Sequence, residues 1–510
     1  MGPSGHYSWL LMAISSVFAP HGSPRRHLHV LQPLPPLRAV PGPKLWAVSQ
    51  IPYILAWLSG HASSTIHAFH EQYGDVVRVA PNRLSFTHPD AYQNIRGHRK
   101  CTQEEHGKDR AFYVISRQNI LGASREDHAR FRRILSHCFS AKSMQAQQPL
   151  ITKHVDLLMQ RLRERTTTTQ DGDGKRKEAV VDLAAWFNFT TFDIIGDLAF
   201  GEPFGCLEES RYHPWVSAIF RGVKQLGIML AVELYLPGAV NFARKVLPTA
   251  FVAMDKQTEF ANERIARRLQ LETGRPDFVE AMVTANSEDG RMLTRHEMAV
   301  NARLLVFAGS ETTATALASA AYFLSKYPEV QKKLADEVRS SFTSEGEIDL
   351  FSVNKLQYMM AVLDEAMRVF PTVPGHLPRT CHAGGDVICG IQVPAGTGLE
   401  VWPLAMNRSR RNFTEPDKFI PERWLPEAEY TGIRFDRERH GAFQPFSVGS
   451  RNCVGKNLAY MEMRLILARL IWNYDLVLAD EAADRFLDCP AFGLWLKGPL
   501  HVRLIPLTTD

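Results

Sequence analysis

Residues Phe446-Ser447-Val448-Gly449-Ser450-Arg451-Asn452-Cys453-Val454-Gly455 run directly into an amphipathic stretch, Leu458 to Trp472. A lone cysteine is usually a small buried hydrophobe. Its neighbours here give it other work. A thiolate needs donors to hold its charge, and close backbone approach if it is to ligate a metal held in a planar macrocycle. Gly449 and Gly455 permit that approach, and the start of the following helix supplies N–H groups. Arg451 can pair with a carboxylate of the same macrocycle. Phe446, Gly449, Arg451, Cys453 and Gly455 at these offsets form a specific signal.

Upstream, Thr294-Arg295-His296-Glu297 reads as a capping box. Apolar residues continue from it through Leu304 and Phe307 to Tyr322 and Leu324, and Pro328 stops the run. The predicted helix has about thirty residues and is apolar on nearly all sides, so it crosses the core. At its middle sits Ala308-Gly309-Ser310-Glu311-Thr312-Thr313. An interior Gly costs about 1 kcal/mol relative to Ala, and adjacent Thr are stiff, so helix stability did not select this sequence. Small residues at Ala308 and Gly309 let a flat ligand approach the backbone. A Thr312 hydroxyl beside the Glu311 carboxylate can move protons in an apolar cavity.

Two further motifs lie between these stretches. Glu365 and Arg368 are three apart and share a helix face, and Phe419-Ile-Pro-Glu-Arg423-Trp424 follows. A buried acid between two arginines joins segments, so Glu365, Arg368 and Arg423 read as scaffold.

FSVGSRNCVG resembles the haem-binding signature of cytochrome P450 monooxygenases, F-x-x-G-x-R-x-C-x-G, at every fixed position. E-x-x-R, the P-E-R-F/W segment and [AG]-G-x-[DE]-T-[TS] occur in the family's order. The resemblance covers the chain from the proline-rich stretch onward. It implies haem b with Cys453 as the axial iron ligand, and propionate contacts from Arg379 (in Pro378-Arg379) and Arg132. His128 stands where many members have Trp. Arg130 and Arg133 flank Arg132 and are expected either in solvent or facing an acidic reductase.

The implied fold is mainly α with a small β subdomain, the haem lying between the long central helix and the cysteine loop. Tyr73 to Phe86 (YGDVVRVAPNRLSF) predicts two strands broken at Pro81-Asn82. Helical periodicity dominates from about Ser124, interrupted by the polar stretch from Thr166 to Lys177. Hydrophobic residues make up 45% and charged ones 22%, ordinary globular usage that excludes a disordered or collagenous chain. The net charge of +5 is too small for a nucleic-acid binder. The cysteines include no C-x-x-C pair, so neither a disulfide framework nor a zinc ribbon is encoded.

The expected organisation is an apolar membrane-anchor segment in residues 1–30, a stiff proline-rich hinge in residues 31–44, and the haem-thiolate domain in residues 45–510. The apolar run from Ser8 to Ala19 precedes Arg25-Arg26, a charge order that argues against secretion and leaves the body cytosolic. The expected location is the endoplasmic reticulum membrane. Trp46 to Leu58 is either a surface-dipping segment or a first helix packed on the domain.

By resemblance, the chain inserts one atom of dioxygen into an apolar small molecule, and the thiolate favours O–O cleavage. Thr312 bonds the oxygen and Glu311 connects to the proton supply. No dinucleotide-binding glycine motif is present, so electrons come from NADPH through a separate cytochrome P450 reductase. The pocket is expected to draw on the segment before Cys101 through Leu121, on Phe307 and Ala308, on Val373 to Leu377, and on Ala491 to Leu494. The early strands and the DHARFRRILSHCFS stretch resemble fungal microsomal members that modify terpenoids, polyketides or alkaloids. The alternatives are a non-oxygenating haem-thiolate isomerase or dehydratase, against which the Glu311-Thr312 pair weighs, and a haem-binding sensor. The sequons at Asn188, Asn407 and Asn412 are chance matches in a cytosolic domain.

Overall fold

The computed structural model describes residues 37–99, 104–114, 117–167, 177–271, 274–289, 293–426, 429–430 and 432–507. The expected anchor, most of the proline-rich stretch, Cys101 and the centre of the polar stretch after Thr166 lie outside the described residues. The chain divides into two compact units, Met1–Val40 and Pro41–Asp510. Of the first, residues 37–40 form a turn closed by the Val40 N–H on the Leu37 carbonyl at 3.1 Å. Everything below belongs to the second.

The central helix spans Arg295–Lys326, 32 residues or about 48 Å, and is unbroken through Gly309. Thr294 caps it: its hydroxyl accepts from Glu297 N–H, while the Glu297 carboxylate accepts from Thr294 N–H, an arrangement that stabilises a helix start by about 1 kcal/mol. The helix is buried over most of its length. It packs against a second buried helix, Leu183–Phe200.

The predicted strands form at Val76–Ala80 and Arg83–Phe86. They open a five-stranded sheet continued by Gly398–Glu400, Arg379–Thr380 and Gly107–Lys108. The second strand pairs parallel with Gly398–Glu400, and the other neighbours run antiparallel. In this register Lys108 lies opposite Arg379. A buried polar network crosses the sheet. Glu400 accepts from Tyr53 at 2.9 Å, Arg83 at 3.0 Å and Trp402 at 2.9 Å, while Arg83 also holds Asp109 at 2.6 Å.

Trp46 to Leu58 resolves into two short helices, Lys44–Val48 and Ile51–Ser59. Tyr53 and Trp57 enter the core while Leu45, Val48, Ile51 and Leu55 face outward, so the segment packs on the domain and keeps an apolar outer side. Asn188, Asn407 and Asn412 are all buried, which removes them as glycan acceptors in the folded protein.

Candidate active site

The cysteine loop is shaped before its helix begins. Ser447 and Gly449 both adopt positive φ, 59° and 79°. The Cys453 N–H donates to the Phe446 carbonyl at 2.9 Å, and Asn452 N–H to the Gly449 carbonyl at 3.2 Å. The following helix, Lys456–Asn473, starts at Gly455. The Phe446 ring packs on Tyr460 at 4.9 Å. Gly449 is forced twice over, by its φ and by the Arg96 backbone against its α-carbon. Gly455 has no such constraint: a β-carbon there would touch only Phe139, at 3.6 Å.

The Cys453 side chain is exposed, yet burial pushes its thiol up while the Gly455 N–H, Arg132 and Lys456 act in the opposite sense. Its sulfur is thus reachable although the surrounding protein desolvates it. Arg132 sits beside it, donating to Asn452 Oδ1 at 2.7 Å.

Around this loop the structure gathers cations. Arg379 is buried, and its Nη1 has no hydrogen-bond partner among the described residues. Burial, together with repulsion from Arg96 and Arg451, pulls it down to about 10. Burial and the nearby Arg379, Arg451 and Arg96 take Lys108 well below its ordinary value. Burial, Arg451, Lys108 and Arg132 likewise draw His128 down to about 4. Glu105 is the compensating acid: Arg451 holds it at 2.7 Å and Arg379 lies 3.9 Å away. Burial raises Glu105, but Arg451 and Arg379 hold it below the usual carboxylate range. Arg132, His128 and Arg451 line a cleft of ≈ 410 Å³ whose rim includes Arg99, Arg125 and Arg133.

These residues fit a haem. An exposed thiol in a desolvated loop matches the iron ligand, and an under-compensated cationic cluster with an orphaned guanidinium nitrogen matches two propionates.

On the central helix, Ala308 is exposed and Phe307, Gly309 and Thr312 are half-buried, while Val306, Ser310, Glu311 and Thr313 are buried. Val373 and Leu377 are half-buried too. The Thr312 hydroxyl donates to the Ala308 carbonyl at 2.6 Å. A β-carbon on Gly309 would lie 3.0 Å from Ile195 Cδ1, so this glycine also serves the packing of two helices. Ser310 fixes the same contact, donating to the Thr191 carbonyl at 3.2 Å. Glu311 forms an ion pair with Lys497 and has no bond to Thr312.

The structure brings Glu365, Arg368 and Arg423 together in the core. Arg368 binds Glu365 through two 2.8 Å bonds, and Arg423 binds it at 3.0 Å. Trp424 Nε1 and Ile420 N–H also donate to it, at 3.0 and 2.9 Å. Arg130 is not free for a partner protein: it holds Asp127 at 3.0 Å and Glu297 at 2.5 Å. Sequence reading missed Glu105 and Lys497. Neither lies in a motif, and each reaches the site only through tertiary contact.

A family model described as Cytochrome P450 matches residues 40–501. The cytochrome P450 monooxygenase astJ of Aspergillus oryzae is 42% identical over 486 residues, 94% of each chain. The trichothecene C-15 hydroxylase of Fusarium sporotrichioides is 43% identical over 473 residues, covering 92% of this chain and 93% of that protein. The averantin hydroxylase of Dothistroma septosporum is 41% identical over 509 residues, covering 98% and 90%. With the cysteine loop, its cationic surround and the half-buried Thr312 already described, these matches leave one assignment: the chain belongs to the cytochrome P450 family.

Proposed function

We propose that this protein is a haem-thiolate monooxygenase that inserts one atom of dioxygen into an apolar secondary-metabolite intermediate. The observation that carries the reading is Cys453, an exposed thiol in a desolvated loop beside an under-neutralised cationic cluster. Bound haem b, ligated by Cys453, supplies activation of dioxygen and cleavage of its O–O bond. The chain's own residues do the rest. The Gly455 N–H and Arg132 stabilise the thiolate. Arg379, Arg451 and His128 would hold the propionates. Ala308 and Phe307 expose one side of the central helix to substrate, with Val373, Leu377 and the hairpin Ala491–Trp495 opposite. Thr312 holds a proton at Oγ1, and Glu311 resupplies it.

The names of the relatives support the substrate class: two are hydroxylases of a trichothecene and of averantin. Electrons come from an NADPH-dependent cytochrome P450 reductase docking at the cationic rim of Arg125 and Arg133. The amino-terminal segment anchors the protein to the endoplasmic reticulum membrane, the catalytic domain facing the cytosol.

The test is the reduced, carbon-monoxide-bound spectrum of the wild type and of Cys453→Ala. A long-wavelength Soret band in the first and not in the second is expected. A folded, haem-loaded wild type without that band overturns the reading.

A further inference from the structure

Outside the cysteine loop, three segments bring ligand-type side chains to one point beside the five-stranded sheet. His106 immediately precedes the edge strand Gly107–Lys108, and His382 follows shortly after its partner Arg379–Thr380. Asp386 opens the hairpin of Asp386–Ile388 and Ile391–Val393, reached through a turn in which the Gly385 N–H donates to the His382 carbonyl at 3.1 Å. The antiparallel pairing sets the two imidazoles side by side, their centroids 5.1 Å apart and their planes 16° from parallel.

The donor atoms converge. His106 Nε2 lies 3.2 Å from Asp386 Oδ2, and His382 Nε2 lies 3.8 Å from the same oxygen. The three residues place their ligand atoms within 4.8 Å of one another. Ligands held about 2.0–2.1 Å from a tetrahedral ion stand about 3.3–3.4 Å apart, so small side-chain adjustments close the set. The His106 side chain is fully buried, whereas those of His382 and Asp386 are 15% and 22% exposed. An ion can therefore enter from solvent and keep a water as its fourth ligand.

A second observation does not depend on spacing: a cation already stands at this point. Arg99 Nη2 lies 2.6 Å from His106 Nε2 and 2.7 Å from Asp386 Oδ2, and it donates to the Asn94 carbonyl at 2.6 Å. A guanidinium only donates, so the buried His106 turns the lone pair of Nε2 toward it, the state in which an imidazole ligates a metal. Two imidazoles and one carboxylate suit zinc and its first-row neighbours rather than calcium or magnesium. Cys381 stands outside the set, its thiol donating to the Val393 carbonyl at 3.7 Å.

We propose that His106, His382 and Asp386 form a binding site for one divalent ion of the zinc class, taken up in exchange for the Arg99 guanidinium. On binding, His382 ligates through Nε2 and carries its proton at Nδ1. That nitrogen gives up the Gly384 N–H, now at 3.2 Å, and turns to Glu104, 3.9 Å away. A carboxylate beside the far nitrogen is the usual support of a metal-ligating histidine. Asp386 and Glu104 together balance the charge of the ion. The ion clamps the stretch whose Glu105 meets Arg451 to the Asp386 hairpin.

The experiment uses the full untagged chain, haem-loaded, with Zn²⁺ as the probe. Equilibrium dialysis against buffered micromolar Zn²⁺ measures zinc per chain for wild type, His382→Ala, Asp386→Asn and Arg99→Ala. Zinc K-edge absorption, which the haem iron does not obscure, counts the imidazoles on the bound ion. Wild type is expected to take up about one equivalent with two imidazoles, and His382→Ala and Asp386→Asn to bind it at least about tenfold more weakly. Arg99→Ala is expected to bind it about tenfold more tightly, because the competing cation is gone; a cluster built only to hold Arg99 would gain nothing from that change. A wild type that takes up less than about a tenth of an equivalent overturns the inference, whatever Arg99→Ala does. Uptake that is unchanged in both His382→Ala and Asp386→Asn places the zinc elsewhere on the chain and overturns it as well. If His382→Ala does not fold, His382→Gln is judged by the same readouts.

Discussion

A β-carbon placed on Gly449 would lie 1.8 Å from the carbonyl oxygen of Arg96. The loop that presents Cys453 is thereby pressed onto the turn after the Ala91–Arg96 helix, and Arg96 returns the contact through Ser447 Oγ at 3.2 Å. Gly449→Ala must either push the loop off that turn or strain a residue at φ 79°, at a cost of about 1–3 kcal/mol for the backbone alone. The expected outcome is a sharp fall in haem content per chain, measured by absorbance against protein concentration. Full haem content in this variant would contradict the geometry.

The arginine cluster makes a prediction that changes sign with haem. Arg379 is buried, short of a partner at Nη1 and repelled by Arg96 and Arg451. Arg379→Ala is expected to leave the haem-free chain as stable as wild type or more so, because a poorly compensated buried charge is gone. The same change is expected to speed haem loss from the loaded protein about tenfold, the equivalent of one charge-assisted contact. Haem transfer to an excess of apomyoglobin measures the second effect, and urea unfolding of the haem-free chain the first.

Glu365 offers a plain stability test. It is fully buried and accepts from Arg368, Arg423, Trp424 and Ile420. Glu365→Ala leaves two buried guanidinium groups without their shared acid, a loss of about 3–5 kcal/mol. Denaturant unfolding should register it, and a change under about 1 kcal/mol would show that the triad is dispensable.

Acid should weaken the fold in two stages. Burial draws His70 down to about 4, whereas the unfolded chain takes up that proton near 6.5. Stability therefore falls as pH drops from about 6.5 toward 4. Burial also raises Glu400, but His376, Arg83 and Trp402 outweigh it and bring the group to about 2. An unfolded Glu protonates near 4.3, so the stability of this carboxylate is intact above that value and drains as pH falls toward 2, about 3 kcal/mol in all. Thermal unfolding of wild type and Glu400→Gln between pH 5 and 3 should show the steeper acid loss in the wild type.

The limits of sequence reading follow from where information lies along the chain. The central helix was legible because its ends are written locally, Thr294 with Glu297 at one and Pro328 at the other. The cysteine loop was legible because Phe446 to Gly455 are contiguous. The strand break at Pro81-Asn82 was legible for the same reason. The packing role of Gly309 was not legible because a glycine's neighbours in sequence do not say which side of a buried helix it faces, and Ile195 lies on another element. Arg130 was left open between solvent and a protein partner because Glu297, which holds it, is 167 positions away. Glu105 and Lys497 have no periodicity or motif to mark them. Each matters only because folding sets it against a charge far off in the chain, Arg451 in one case and Glu311 in the other.

The anchoring of the Ala491–Trp495 hairpin also constrains how this enzyme can change. The residues proposed to line the substrate side and Lys497, which pairs with Glu311, ride on one short strap, fastened by Trp495 to Phe370 and Pro371. Substitutions that bend that strap to admit a new substrate also displace Lys497. The shape of that strap and the Lys497–Glu311 ion pair are mechanically linked in this chain. A library for altered selectivity should therefore vary Phe307, Val373 and Leu377 freely and leave the residues from Trp495 to Lys497 untouched.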